Sequence, residues 1–513
     1  MASYNSYSSS MGERKLTIDS FTGIDQTRGL HSADYGSSPD AVNFVTRDGA
    51  LKTAGGVSAY GSPAPSSVYE SANGRIFQGF FRDAQHNDFS KIVMALHGRF
   101  YVADPDAQTW TAIAGSLTNN DWSAVNYRDE DVDWIILTNG VDTAQYWDGV
   151  SESSFPLNIV QGRIVQDSEV LAEGEALHFS KITMLNERLW GGVASEYPDR
   201  VYWSKTFDPE DWEFNFVDSE NDGGGFVDVA TFDGSRIRAV VSAMDDILIF
   251  KDKSLHRLNG SYPGEFSLTQ VFGTEGTLAP RTIVNDGRSL YFLASEGLVR
   301  YSGMTAISLS SQGDKKLREI WPRINASTID TACATMMNNI IYLAVPLDGS
   351  IINTHVIEYD IQNGTYNLIE LPGVDDWLVL REGQKETLLF LSGDQLYRYD
   401  SGYTFYDNEP IEAVWTSPFI SCGTLSSKKQ TGRIYMSITA TSLDVTKQPQ
   451  IKLTLLSGNN VRSKLIKLKN GLNEIRKRVK VKGRMFRFRI ENVDGNPLTI
   501  HRGIEIHIEE DFD

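Results

Sequence analysis

The chain has 513 residues, 41% of them hydrophobic and 22% charged, with a net charge of −19. That length exceeds one ordinary core and points to two or three domains or one large repeat fold. No run of about 18 apolar residues occurs, which excludes a membrane-spanning helix. The two cysteines, Cys333 and Cys422, are too few for a disulfide framework and are expected to be buried free thiols.

Residues 1–15 open on a Ser- and Tyr-rich stretch with no apolar centre. They read as a disordered or assembly-ordered tail rather than a secretory signal, and the chain as one made in a reducing cytoplasm. Residues 16–60 have little helical periodicity and several turn signals, and read as an extended N-terminal arm.

From residue 61 to 402 strand signals dominate: apolar and aromatic runs of a few residues, broken by Gly, Asp and Asn. Only Asp314–Trp321 reads as a short helix. One hairpin pattern recurs about seven times, as an apolar strand, a polar turn, then a strand ending in an aromatic residue and Gly or Asp. Its copies are Arg99–Asp104, Asp133–Gly149, Glu187–Lys205, Asp246–Gly260, Arg288–Gly303, Asn339–Tyr366 and Glu386–Gly402. The turns at Asn139–Gly140, Glu296–Gly297 and Gly393–Asp394 suit tight hairpins. A small antiparallel sheet cannot bury both faces alone, and stacking such sheets around an axis does so with few exposed edges. The expectation is an all-β chain with an irregular β-propeller of six or seven blades; stacked sandwiches are the competing reading.

Residues 403–513 read as a separate C-terminal β-sandwich. Its expected strands are Glu412–Thr416, Arg433–Thr439, Gln450–Leu456, Ser463–Leu468, Arg484–Glu491 and Gly503–Ile508. In Arg484–Glu491, Phe486, Phe488 and Ile490 should face inward and Arg487 and Arg489 outward. Between Ser426 and Ile490 there are 17 Lys and Arg against two acids, Asp444 and Glu474, a balance of +15 that leaves −34 for the rest. That asymmetry marks a basic face for an acidic partner or for DNA phosphates. Its candidate residues are Lys428, Lys429, Arg433, Lys464, Lys467, Arg476, Lys477, Arg478, Arg487 and Arg489. Phe486 and Phe488 have core parity, so base stacking is not expected.

Catalytic signals are weak. None of the eight histidines has metal-ligand spacing, although His501 and His507 lie near Glu505 and Glu509. No nucleophile elbow, P-loop or dinucleotide fingerprint occurs. The acids Asp208, Glu210 and Asp211, and Asp218, Glu220 and Asp222, have the composition of a glycosidase pair or a calcium loop, but read more simply as solvated loop acids. The expectation is a non-enzyme with no catalytic residue, metal or cofactor. Trp134, Trp147, Trp190 and Trp203 would supply an aromatic glycan pocket if exposed; their place in the repeats makes them core.

The N-terminal residues Phe21, Gly23, Asp25, then Pro39, Asp40, Asn43, then Asp48, Gly49, Leu51 and Gly55 follow an order that resembles the opening of many phage tail proteins. Ile24 stands where a second Gly is common. Residues 185–212, 273–303 and 483–511 extend the resemblance, which is to the propeller-bearing tail nozzle (tail tubular protein B-like) proteins of short-tailed bacteriophages. The resemblance implies a structural virion protein assembled in the bacterial cytoplasm. It implies a homohexameric ring below the portal and adaptor proteins, in contact with other tail proteins or fibres. Genome DNA would be retained there and then conducted through its lumen. The alternatives are a receptor- or glycan-binding propeller at the tail tip and, less favoured, a polysaccharide-degrading propeller.

Overall fold

The computed structural model describes residues 9–510 apart from 11–12, 28–33, 66–73, 106–108, 130–131, 162–163, 167–168, 173, 195–196, 214–222, 232, 273–274, 310–315, 401–403, 406–408, 422–424 and 445. His31, Asp218, Glu220, Asp222, Asp314 and Cys422 therefore lie outside the described residues. The described chain is all-β, with short 3-10 turns and no α-helix among the described residues.

Seven four-stranded antiparallel sheets follow one another along the chain, over residues 75–114, 123–156, 179–228, 237–271, 284–308, 333–370 and 376–399. Each contains one copy of the repeated pattern, which in the first sheet (Arg99–Asp104) covers a single strand and in the others a hairpin. The central strands are continuous apolar runs, such as Leu290–Ala294, because both of their faces are covered. Tight turns between strands place two successive residues at positive φ, as at Asn338–Asn339 (53° and 61°), the geometry that matches strand twist.

Each sheet packs on the next through its own apolar cluster, except that the fifth and sixth meet through Tyr291, Leu293, Ile341 and Leu343 within the large core they share with the C-terminal sheets. Phe81, Val93 and Phe100 meet Ile135, Leu137 and Trp147 between the first and second sheets. Phe250 of the fourth sheet meets Phe292 of the fifth edge-to-face at 5.0 Å. The last cluster joins Leu378, Leu380 and Leu389 of the seventh sheet to Ile76, Ile92 and Met94 of the first, so the succession closes on itself. The seventh sheet takes its outer strand from the N-terminal segment: Val57–Ala59 pairs with Gln395–Tyr399.

The N-terminal segment does not run free before the sheets. Strand Glu13–Ile18 pairs with Ile504–Glu510, and Ala50–Thr53 pairs with Leu498–Ile500. Both belong to a nine-stranded sheet built mostly from the C-terminal residues. A second sheet has the strand order Ala413–Thr416, Arg487–Asn492, Gln450–Ser457, Asn460–Lys467. The two share one core, in which Ile451, Leu453 and Leu455 join Ile434, Met436 and Ile438. Phe486, Phe488 and Ile490 are buried and Arg487 and Arg489 half-exposed, as their alternation requires.

One expectation needs correction. Residues 316–320 form turns, and Trp321–Arg323 is a single 3-10 turn rather than the end of a helix. Pro322 removes a donor and restricts the residue before it, while Leu317 and Ile320 turn into the core. Strand Gly471–Arg478, paired along the full length of Arg433–Ala440, was not anticipated. Its charge run hides a half-covered strand with Ile475 as its one buried residue.

Candidate functional site

The first strand of each small sheet is terminal in that sheet and, except between the fourth and fifth sheets, packs closely against the first strands of its neighbours. Its free backbone edge therefore needs partners from elsewhere. Side-chain amides supply several. Gln78 Nε2 donates to the Arg381 carbonyl (2.7 Å), and Gln78 Oε1 accepts from the Arg381 N–H (3.0 Å). Asn126 repeats this on the first sheet, donating to the Gln78 carbonyl (3.0 Å) and accepting from Phe80 N–H (3.1 Å). Ser123 Oγ accepts from Ile182 N–H and Thr183 Oγ1 from Ser242 N–H. Each amide side chain stands in for a missing strand.

At one end of these first strands the charges converge. Arg75 Nε donates to Asp121 Oδ1 (2.7 Å) and its Nη1 to Asp376 Oδ1 (3.2 Å). Lys181 Nζ donates to Asp121 Oδ2 (2.6 Å), and Ile76 N–H to Asp376 Oδ2 (3.1 Å). Arg281 donates to the carbonyls of Asp330, Thr331 and Asp375. Burial works against the Asp121 carboxylate, yet Arg75 and Lys181 hold it well below the usual range. Burial pushes the Lys181 ammonium down in spite of Asp121. Cys333 lies close by as a buried free thiol, pushed up to about 12 by burial and so unreactive as a nucleophile.

Asp375 sits in the same cluster with the opposite tendency. Burial raises its carboxyl to about 6, although the Gly393 N–H donates to it at 2.7 Å. Between its ordinary value and about 6, the folded chain holds this proton more often than the unfolded chain, so stability falls as pH rises through that window. Asp375→Asn is expected to leave stability unchanged at pH 4 and to raise it at pH 8 by about 1–2 kcal/mol. Urea unfolding at the two pH values measures this.

At the other end of the same strands lies an open cleft of about 1160 Å³, lined by Phe80, Phe89, Asn126, Arg128, Arg381 and Glu382 among others. Its charges are engaged: Arg128 with Asp133 (2.5 Å) and Arg381 with Glu386 (3.1 Å).

The basic residues fall into separate groups. Arg433, Arg476 and Arg478 come together on one face of paired strands of the nine-stranded sheet, with Arg433 opposite Arg478 and Tyr435 opposite Arg476, while Lys477, opposite the buried Ile434, belongs to the other face. Lys464 and Lys467 are exposed on the terminal strand of the other sheet, and Lys428 is exposed before the strand Lys429–Ala440. Lys429 does not belong to an accessible face. It is fully buried, because its strand position points inward and its Nζ donates to the Ser427 carbonyl. Arg487 donates to the Ser417 carbonyl (3.0 Å) and pairs with Asp40, and Arg489 pairs with Glu491 (3.2 Å). These two arginines hold the fold together at least as much as they face a partner.

The other candidates resolve into structural roles. Asp208 Oδ1 accepts from the N–H groups of Glu210 and Asp211, as a turn-forming acid does. Glu505 pairs with Lys15, Glu509 with Arg478, and His501 Nε2 hydrogen-bonds Thr439 Oγ1. No group of three or more His, Cys, Asp or Glu that could hold a metal occurs among the described residues. Trp147, Trp190 and Trp203 are buried and Trp134 half-buried between Tyr127 and Tyr146, so they do not form an exposed aromatic pocket. These converging charges were not legible in advance: Arg75, Asp121, Lys181, Arg281 and the adjacent pair Asp375–Asp376 lie far apart in the sequence, and only the folded chain brings them together.

No family model matches the chain, and no curated protein matches it. Among solved structures the chain is similar to the extracellular domain of the hybrid two-component system BT4673 from B. thetaiotaomicron, with 11% identity and a TM-score of 0.42. The match covers 92% of this chain and 64% of that one, and at those values it supports no reading of function.

Proposed function

We propose that the seven small sheets are the blades of a β-propeller, that the two facing sheets form a β-sandwich, and that the protein is a structural subunit of a phage tail. In this reading it is a nozzle-like protein of the virion. It assembles in the bacterial cytoplasm into a sixfold ring below the portal and adaptor, and retains and then conducts genome DNA without catalysing a reaction. The closed succession of interlocked sheets supports the propeller. The resemblance of the N-terminal and central segments supports the tail.

The observation that carries the reading is the segregation of charge, +15 on residues 426–490 against −34 elsewhere. A wall that conducts DNA must not hold it, and an acidic propeller repels phosphates where a basic one would bind them with salt-dependent affinity. The basic sandwich is left to make the contacts with neighbouring proteins. DNA would pass through the lumen of the ring and not along the axis of one propeller, which Gln78, Asn126 and the Arg75–Asp121–Lys181 ion pairs obstruct. Native mass and low-resolution images of the purified chain are expected to give a hexameric ring with an axial hole and acidic walls. A monomer or trimer, or a lumen lined by Lys and Arg, would overturn the proposal.

A further inference from the structure

We propose that strand Asn460–Lys467 is an acceptor edge that takes an extended acidic segment of a partner protein as an added strand. The strand is terminal in its sheet, so one side of its backbone has no ladder partner among the described strands. The opposite terminal strand of the same sheet, Ala413–Thr416, is covered: Val42 and Val414 exchange both backbone hydrogen bonds, at 3.0 and 2.9 Å. Among the described residues this leaves the Asn460–Lys467 edge of the sheet open, over a strand long enough for several backbone bonds.

The side chains indicate what would fill it. Val461 is 49% exposed and Leu465 55%, and they alternate with Arg462 and Lys464. Leu472, 65% exposed, lies on the strand that follows. Residues 460–484 carry ten Lys and Arg against a single acid, Glu474. Edge strands are normally defended by such cations, which repel an identical edge and so disfavour pairing with the same strand of a second copy. The same cations attract a strand that carries carboxylates. The exposed Val461 and Leu465 favour a protein over DNA, because a phosphate backbone has no use for aliphatic side chains between its cationic contacts. The occupant is thus an extended segment in which acids alternate with apolar residues.

The inference rests on the tail reading only for who the partner is, and its test is separate from the ring image. The full chain is mixed with a labelled peptide of alternating Glu and Val. Binding is read by fluorescence anisotropy, and backbone engagement by amide hydrogen exchange of residues 460–467. Binding with at least about tenfold slower exchange on that strand is expected, with Arg462→Gln and Leu465→Ser each weakening binding several-fold. A peptide of alternating Glu and Pro has the same charge but cannot pair as a strand, and is expected not to protect it. Failure of the Glu-Val peptide to bind, equal binding of the Glu-Pro peptide, or unchanged exchange would overturn the proposal. So would a short DNA duplex that binds as tightly and is indifferent to Leu465→Ser, which would make this a phosphate-binding edge instead.

Discussion

Replacing Arg75 with methionine is expected to destabilise the folded chain by about 3 kcal/mol, because it leaves the largely buried Asp376 carboxylate without its cation. Arg75 is only 7% exposed and is the one cation that touches both Asp121 and Asp376. Asp121 would keep Lys181, but Asp376 would keep only the Ile76 N–H as a donor among its recorded partners. These residues sit on first strands, or just before them, in the first, second, third and seventh sheets, so the loss falls where the succession of sheets closes. The urea midpoint measures the effect. The sign with pH follows from Asp121, whose carboxylate is stabilised by folding. The contribution is complete above the usual carboxylate range and disappears on acidification below it, so wild type and variant converge at low pH. A difference that persisted undiminished into strong acid would show that lost packing, not charge, was responsible.

Phe21→Ala is expected to cost about 3–5 kcal/mol, the range for emptying a fully buried aromatic site. Phe21 is 2% exposed and meets Trp415 edge-to-face at 5.1 Å. Its backbone N–H donates to the Gly49 carbonyl, which places the residue against the hairpin of Phe44–Arg47 and Ala50–Thr53 and is kept when the ring is removed. Nearby turns leave little freedom. A Cβ on Gly23 would come within 2.6 Å of the Tyr366 carbonyl oxygen, and Asn43, at φ 58°, bonds Glu412 and Glu370 with its amide. Loss of Phe21 should therefore loosen strand Glu13–Ile18 from Ile504–Glu510 and speed limited proteolysis of the N-terminal segment. Phe21→Leu, which keeps most of the volume, is expected to cost less than about 1.5 kcal/mol.

Much of this protein could be read from local pattern. Short apolar runs separated by Asn, Asp and Gly specify strands and tight turns without reference to anything distant, and the seven copies of the repeated pattern each fell in a separate sheet. The parity of Phe486, Phe488 and Ile490 also settles locally, because a strand has only two faces. Gly23, Asn43 and Gly49 are likewise legible locally, since positive φ restricts residue choice wherever it occurs, whereas Gly55 is required by the approach of Asp400.

What pairs with what over long distances was decided only by the tertiary structure. Nothing near Val57–Ala59 indicates that it completes a sheet with Gln395–Tyr399, and nothing near Glu13–Ile18 names Ile504–Glu510 as its neighbour. Backbone hydrogen bonds are the same for every residue type, so the choice of partner follows from how whole sheets bury their faces. The ion pairs around Arg75 depend on that choice in turn. An isolated Arg75 or Asp376 is an ordinary surface charge until packing removes water from around it, and Lys429 is a basic residue in the sequence that the fold turns inward. The sequence by itself determined the strands, the turns and the uneven charge; the closing of the chain on itself determined which charges meet.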